Sequence, residues 1–165
     1  MLVLGIDPGT ATTGFGVVEA QGSRLRAIDY GVISTPSSMD MPARLCLIHE
    51  GLSRIIDQYQ PQTAAVEEIF YHRNAKTVIT VAQSRGVLLF TGASKGLKVC
   101  EYTPLQVKQS VVGYGQAEKR QVQLMVQRIL KLKEIPKPDD AADALAIAIC
   151  HLHAQRLEHI YRSEL

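Results

Sequence analysis

Cysteine is scarce. Cys46, Cys100 and Cys150 are the only three in 165 residues, and no two of them form a C-x-x-C pair. A scattered, odd-numbered set argues against a disulfide framework and against a cysteine zinc site, so all three read as reduced thiols. No apolar run comes near the roughly 20 residues that a membrane-spanning helix needs. The first residues carry neither a basic segment nor a small-residue cleavage pattern. A strand starting at Leu2 is the better reading there, and the expected location is the cytoplasm. Repeats, low-complexity tracts and linkers are missing too, so one domain over residues 1–165 is expected. Acids are nearly missing from one long stretch. Residues 69–133 hold eleven lysines and arginines against Glu101 and Glu118 alone, whereas the rest of the chain holds seven against fourteen acids. The middle is therefore about +9 and the remainder about −7, within a net charge of +2. A basic stretch of that length predicts a polyanionic partner.

What is present suits a globule with a real core, at 46% hydrophobic and 21% charged residues. Leu2–Ile6 reads as a buried strand. Thr13–Glu19 and Arg24–Ile33 read as two more strands around a turn containing Gly22, giving three antiparallel strands. Leu45, Ile48, Leu52, Ile55 and Ile56 recur at a helical period, which predicts a helix over Ala43–Tyr59 before Pro61. Thr63–Glu68 is a short apolar strand. A helix from Asn74 to about Ala93 follows, then the strand "LKVCEY". Thr103 and Pro104 open a short helix that ends near Gly113. Two further helices are expected over Glu118–Leu132 and Asp139–Tyr161. This order predicts an α/β domain with a mixed central sheet, three antiparallel strands and then parallel strands, flanked by helices.

Acids sit where these elements begin or end. Asp7 ends the first strand in "LGIDPGT". Glu67 and Glu68 end the fourth. Asp139, Asp140 and Asp143 open the last helix. Strand ends of an open α/β sheet are where sites form. Parallel first and fourth strands would bring Asp7 and a glutamate out at one edge, and residues three apart, such as Asp140 and Asp143, share a helix face. Carboxylates that converge repel unless a cation neutralises them. Hard oxygen ligands without Cys or His point to Mg²⁺ or Mn²⁺, and a pair of such ions is suited to cutting a phosphodiester. Other readings exist for each acid. Asp7 before Pro-Gly can make an Asx-turn, a helix-starting Asp can be a cap, and Glu68 can be a solvated strand end. Spacing leaves Asp139 beside Asp140 and Glu67 beside Glu68 as alternatives. The opening "DPGT" also fits the phosphate turn of actin-like ATPases, but the chain is short for two lobes and has no P-loop.

The blocks "LGIDPGT", "GFGVV", "AVEEIFYHRNAKT", "QSRGV", "QVKQSVVGYGQAEKRQVQ" and "DDAADALAIAICH" occur in order over residues 2–155, and together they resemble the RuvC family of Holliday-junction resolvases. The resemblance implies a ribonuclease H-like fold. It assigns Asp7, Glu67, Asp140 and Asp143 as catalytic metal ligands. It makes Lys108 and Lys119 phosphate contacts, and Phe70 an aromatic wedge against bases at the junction centre. Arg73, Lys76, Asn74 and Arg85 are weaker DNA-binding candidates from the basic middle, and Tyr71 is a substitute for Phe70. His72, His151 and His153 read as surface or helix-face residues. Gly14 and Gly16 read as places where DNA approaches the sheet closely. The implied activity is Mg²⁺-dependent (Mn²⁺ substituting) nicking of four-way DNA junctions by paired symmetric cuts, in recombination and repair. Two ions per site, a homodimer and a branch-migration motor of the RuvA and RuvB type come with the family. A ribonuclease H-like nuclease on another nucleic acid, and a non-enzymatic junction-binding module, are the alternatives.

Overall fold

The computed structural model describes residues 1–68 and 75–163, with the side chains of 75, 76, 159 and 161–163 excepted. Three strands open the chain: β1 (Leu2–Asp7), β2 (Thr12–Gln21) and β3 (Arg24–Ser34). Helix α1 (Met41–Tyr59) leads to β4 (Thr63–Glu67), and helix α2 (Ala75–Ser94) leads to β5 (Lys98–Tyr102). Three helices complete the order: α3 (Pro104–Val112), α4 (Lys119–Ile129) and α5 (Asp139–Ser163). The sheet order is β3-β2-β1-β4-β5, with β1–β2 and β2–β3 antiparallel and β1–β4 and β4–β5 parallel. This is the mixed sheet expected from the sequence.

The helix ends follow from their capping residues. Asp40 caps α1 by accepting from the Ala43 amide at 3.1 Å, which starts that helix two residues before the apolar period shows it. Thr103 and Gln106 form a reciprocal capping box at α3, with Pro104 in its first turn and Gly113 at φ 98 closing it. Helix α4 stops at Ile129, three residues short of the expected Leu132. Lys131 takes the left-handed conformation at φ 54, and the Leu132 amide reaches back to Gln127 O at 2.9 Å, a Schellman closure built on a lysine rather than a glycine.

The sheet has a helix layer on each face, and strand alternation sorts its residues between them. Leu4, Ile6, Val17, Ala64 and Val66 pack with Ile48, Leu52 and Ile56 of α1 and Leu88 of α2. Val3, Val18 and Ala65 pack with α5 and the residues of α3 and α4. The stretch Ala141–Cys150 of α5 is buried along almost its whole length, Asp143 being the one partly exposed position. Its alanines bring the helix against glycines of the sheet. A Cβ on Gly5 would stand 2.0 Å from Ala144 O, one on Gly14 2.0 Å from Asp140 O, and one on Gly16 2.8 Å from the Leu145 side chain. Gly14 and Gly16 therefore admit the helix and not DNA, which corrects the expectation for both. The close approach also fixes how far Asp140 and Asp143 stand from the end of β1.

Candidate active site

The β1–β4 ladder ends with the pair Ile6 and Val66, so Asp7 and Glu67 emerge one residue later on neighbouring parallel strands. Alternation sends both toward the face covered by α5, the face of Gly5 and Ala65, and sends Glu68 the other way. The N-terminal turn of α5 brings Asp139 and Asp140 to the same edge, and Asp143 follows one turn on.

The electrostatics identify which acids face one another. Burial, then the charges of Glu67, Asp143 and Asp140, push the Asp7 carboxyl up to about 8. Burial and the Asp143 charge push Glu67 up to about 7, against the pull of Lys108 and Lys119. Asp143 is raised by burial, against its hydrogen bond and attraction to Lys119. Asp139 is not among the charges acting on Asp7, and Glu68 acts on neither strand-end acid. Asp139 turns outward instead. It is 62% exposed and accepts from Gln123 Nε2 at 3.0 Å, with Lys119 Nζ at 3.4 Å. No hydrogen bond from the described residues reaches the Asp7 carboxyl, so the Asx-turn reading has no support.

Lys119 Nζ lies 2.9 Å from Asp143 Oδ2. Burial works against its charge, but the hydrogen bonds and charges of Asp143 and Asp139 outweigh burial and raise its pKa. Lys108 on α3 and Lys119 on α4 line one cleft of about 210 Å³ together with Glu67 and Asp143. The other assigned residues fall differently. Phe70 and Arg73, with Tyr71, His72 and Asn74, lie outside the described residues, as does the side chain of Lys76. Arg85 is not a surface cation. Its Nε donates to the Glu67 carbonyl at 3.2 Å and its guanidinium pairs with Glu101, so it holds the end of β4 in place. His151 is also corrected, since it is 1% exposed and bonded to Thr63, Tyr102 and Gln155. The signal for it was available, because His151 follows Ala144 by seven and falls on the core stripe of α5.

The donor set fits hard divalent cations: all oxygen, partly buried, mutually repelling, and without a thiolate or imidazole. Among the described residues no three acidic, His or Cys groups yet meet as a finished ligand set, and Asp143 is engaged by Lys119 instead.

The family model for crossover junction endodeoxyribonuclease RuvC matches residues 3–151. The chain belongs to the RuvC family. RuvC of Syntrophomonas wolfei is 63% identical over 163 residues, covering 99% of this chain and 95% of that one. RuvC of Clostridioides difficile is 53% identical over 96% of this chain and 94% of that one. The structure of Thermus thermophilus RuvC in complex with a Holliday junction substrate superposes with a TM-score of 0.91 at 38% identity, covering 96% of each chain. The sheet is thus the ribonuclease H-like sheet of RuvC, and its carboxylate edge is the end common to β1, β4 and α5. Among the described residues no helix is long and apolar enough to cross a membrane.

Proposed function

We propose that this RuvC family member resolves four-way DNA junctions, cutting two strands of like polarity and leaving 5′-phosphate and 3′-hydroxyl ends. The observation that carries this reading is one sheet edge where two parallel strands and a helix N-terminus each present carboxylates, with Lys108 and Lys119 beside them. The Thermus thermophilus relative, bound to a Holliday junction substrate, supports the choice of DNA over an RNA hybrid. The acidic edge itself argues against a binding module without catalysis.

Asp7, Glu67, Asp140 and Asp143 are the residues that would hold the metal. Bound there, a pair of Mg²⁺ or Mn²⁺ ions would supply activation of water and charge neutralisation at the leaving 3′ oxygen. Asp7 and Glu67 give that centre a rigid base, since each is the terminal residue of a paired strand. Asp143 could ligate through Oδ1 and keep Lys119 on Oδ2, or ligate through Oδ2, in which case the Lys119 ammonium would be free for a DNA phosphate in the same cleft. Lys108 and Lys119 then orient the strand without reading its sequence. Arg85 acts through Glu67 and is a positioning residue.

Two symmetric cuts need two sites, and a C2 dimer supplies them. The exposed side of α2 supports a second copy of this chain as its partner. Ile79 and Phe90 there are 65% and 66% exposed, and Gly86 between them faces open space, which would admit a second helix closely. A branch-migration motor of the RuvA and RuvB type belongs to the same proposal.

The decisive experiment is cleavage of a synthetic mobile four-way junction beside a linear duplex and an RNA–DNA hybrid, in Mg²⁺ and in EDTA, for wild type and Asp7→Asn. Paired nicks on the junction alone, with metal alone and only in wild type, are expected. Cutting of the hybrid instead would move the substrate to RNA. Binding without cutting under any metal would leave a junction-binding module.

A further inference from the structure

A second groove, of about 470 Å³, borders the α5 N-terminus at Asp140, whereas the lysine cleft borders it at Asp143. Thr10 of the β1–β2 turn, Thr12 at the start of β2, Thr80 of α2, Arg44 of α1 and Asp140 line it. The two clefts share the carboxylate edge, because Asp140 forms a wall of this groove and Asp143 a wall of the other. We infer that this groove is a second backbone subsite of the nuclease, in which Arg44 holds a phosphate of the DNA strand crossing Asp7. The inference deepens the proposed function and rests on it.

The Arg44 side chain is built into its place. Its Nε donates to Thr35 Oγ1 at 2.8 Å, and the Thr35 hydroxyl, 5% exposed, donates to Thr10 O at 2.6 Å. Ser84 Oγ in turn donates to Thr10 Oγ1 at 3.0 Å, and Thr13 Oγ1 to Gly9 O at 2.7 Å. The guanidinium is thus tied to the same turn that positions Asp7, and among the described residues only its Nε makes a hydrogen bond. Among the described residues Arg44 makes no ion pair, unlike Arg26, Arg85, Lys95 and Lys119. Asp40, four residues earlier, spends its carboxylate on the α1 cap.

The chemistry of the walls selects a phosphate. Among the described residues, hydroxyls, the Arg44 guanidinium and the Asp140 carboxylate line the groove and no aromatic ring does, so no described side chain offers a base a stacking platform there. A planar guanidinium with two terminal nitrogens available suits phosphate oxygens. Electrostatics require something of this kind. A strand passing over four carboxylates is repelled along its path, and Lys108 and Lys119 offset that on one side only. Among the described residues Arg44 is the cation that lines the groove beside Asp140.

The test is equilibrium binding of a fluorescent four-way junction by the full chain in EDTA, across a salt series, with a linear duplex alongside. Arg44→Gln removes the charge and keeps a donor for Thr35. Arg44→Lys keeps the charge. Arg54→Ala, at an exposed arginine further along α1 that donates to Glu50 O, is the control. Thermal melts confirm that each variant is folded. Arg44→Gln should weaken binding several-fold and reduce the slope of log K against log salt by about 0.9, the value of one phosphate contact. Arg44→Lys should retain most of the slope, and Arg54→Ala should match wild type. An unchanged slope in Arg44→Gln would overturn the subsite, as would an equal loss in Arg54→Ala. Equal wild-type affinity for duplex and junction would overturn the junction reading alone, and the Arg44→Gln slope would still decide the subsite.

Discussion

The two ends of the buried part of α5 treat polar groups in opposite ways. At its C-terminal side, His151 is fully enclosed, with Tyr102 Oη 2.8 Å from Nδ1 and both Thr63 Oγ1 and Gln155 Nε2 3.0 Å from Nε2. Burial lowers its pKa and keeps the ring neutral. Every group there has a neutral partner, and the cluster pins α5 to the start of β4 and the end of β5. At its N-terminal side, carboxylates face carboxylates, and Lys119 is the one cation hydrogen-bonded to them among the described residues. The first cluster is at rest, and the second holds repulsion that a cation relieves. The contrast teaches where each residue's work lies. Polar groups buried with partners hold the helix, and like charges buried together mark the site.

The largest effect is expected from Asp7→Asn, which should cut junction cleavage at least a thousandfold, about 4 kcal/mol of barrier, and leave junction binding nearly intact. Loss of both in the same assays would make Asp7 a folding residue. Asp140→Asn comes next, on the order of a hundredfold in turnover at saturating junction, about 2.7 kcal/mol. At the other end, His151→Leu should leave Thr63 and Tyr102 unpaired and cost about 2 kcal/mol of stability in urea. Turnover at a temperature where the variant is folded should be unchanged, and a turnover loss there would join the two ends functionally.

The pH dependence sharpens the contrast further. Asp7 and Glu67 have folded pKa values above their ordinary ones, so the folded state holds their protons more tightly than the unfolded chain does. Their contribution is favourable below about pH 4 and is lost as the pH rises through about 7 for Glu67 and 8 for Asp7. In EDTA the melting temperature should therefore fall across that window. Mg²⁺ should restore it, and Asp7→Asn should flatten the curve. An identical pH profile in Asp7→Asn would show that the carboxylates do not strain the fold. The smallest effect is reserved for Asp139→Asn, within a few-fold of wild type in turnover, because that side chain is exposed and faces Gln123 and Lys119. A loss as large as that of Asp140→Asn would reverse the choice within the pair.

Most of the fold was legible because its signals are local. The helical period of α1, the Thr103–Pro104 start of α3 and the Gly22 turn each depend on residues within a few positions of one another. The ends that were misread depend on single capping events. Asp40 caps α1 inside what reads as a loop, and Lys131 adopts a conformation for which glycine is the usual sign. The site was half legible. Acids at element ends stand out in one dimension, but "EE" and "DD" look symmetrical there. Alternation along β4 distinguishes Glu67 from Glu68, and the reach of α5 over Gly14 distinguishes Asp140 from Asp139.

By itself, the sequence determined the order of elements, the acids at their ends, the basic middle and the family, because periodicity, capping and motif spacing are properties of neighbours along the chain. Only the tertiary structure decided that Gly14 and Gly16 serve the helix, that Arg85 holds the β4 end, that His151 is core, and that Arg44 shares a groove with Asp140 while Lys119 shares one with Asp143. Those roles depend on which residues meet across α1, α2, α5 and the sheet. Such meetings are set by how closely the layers pack, and no local pattern encodes that distance.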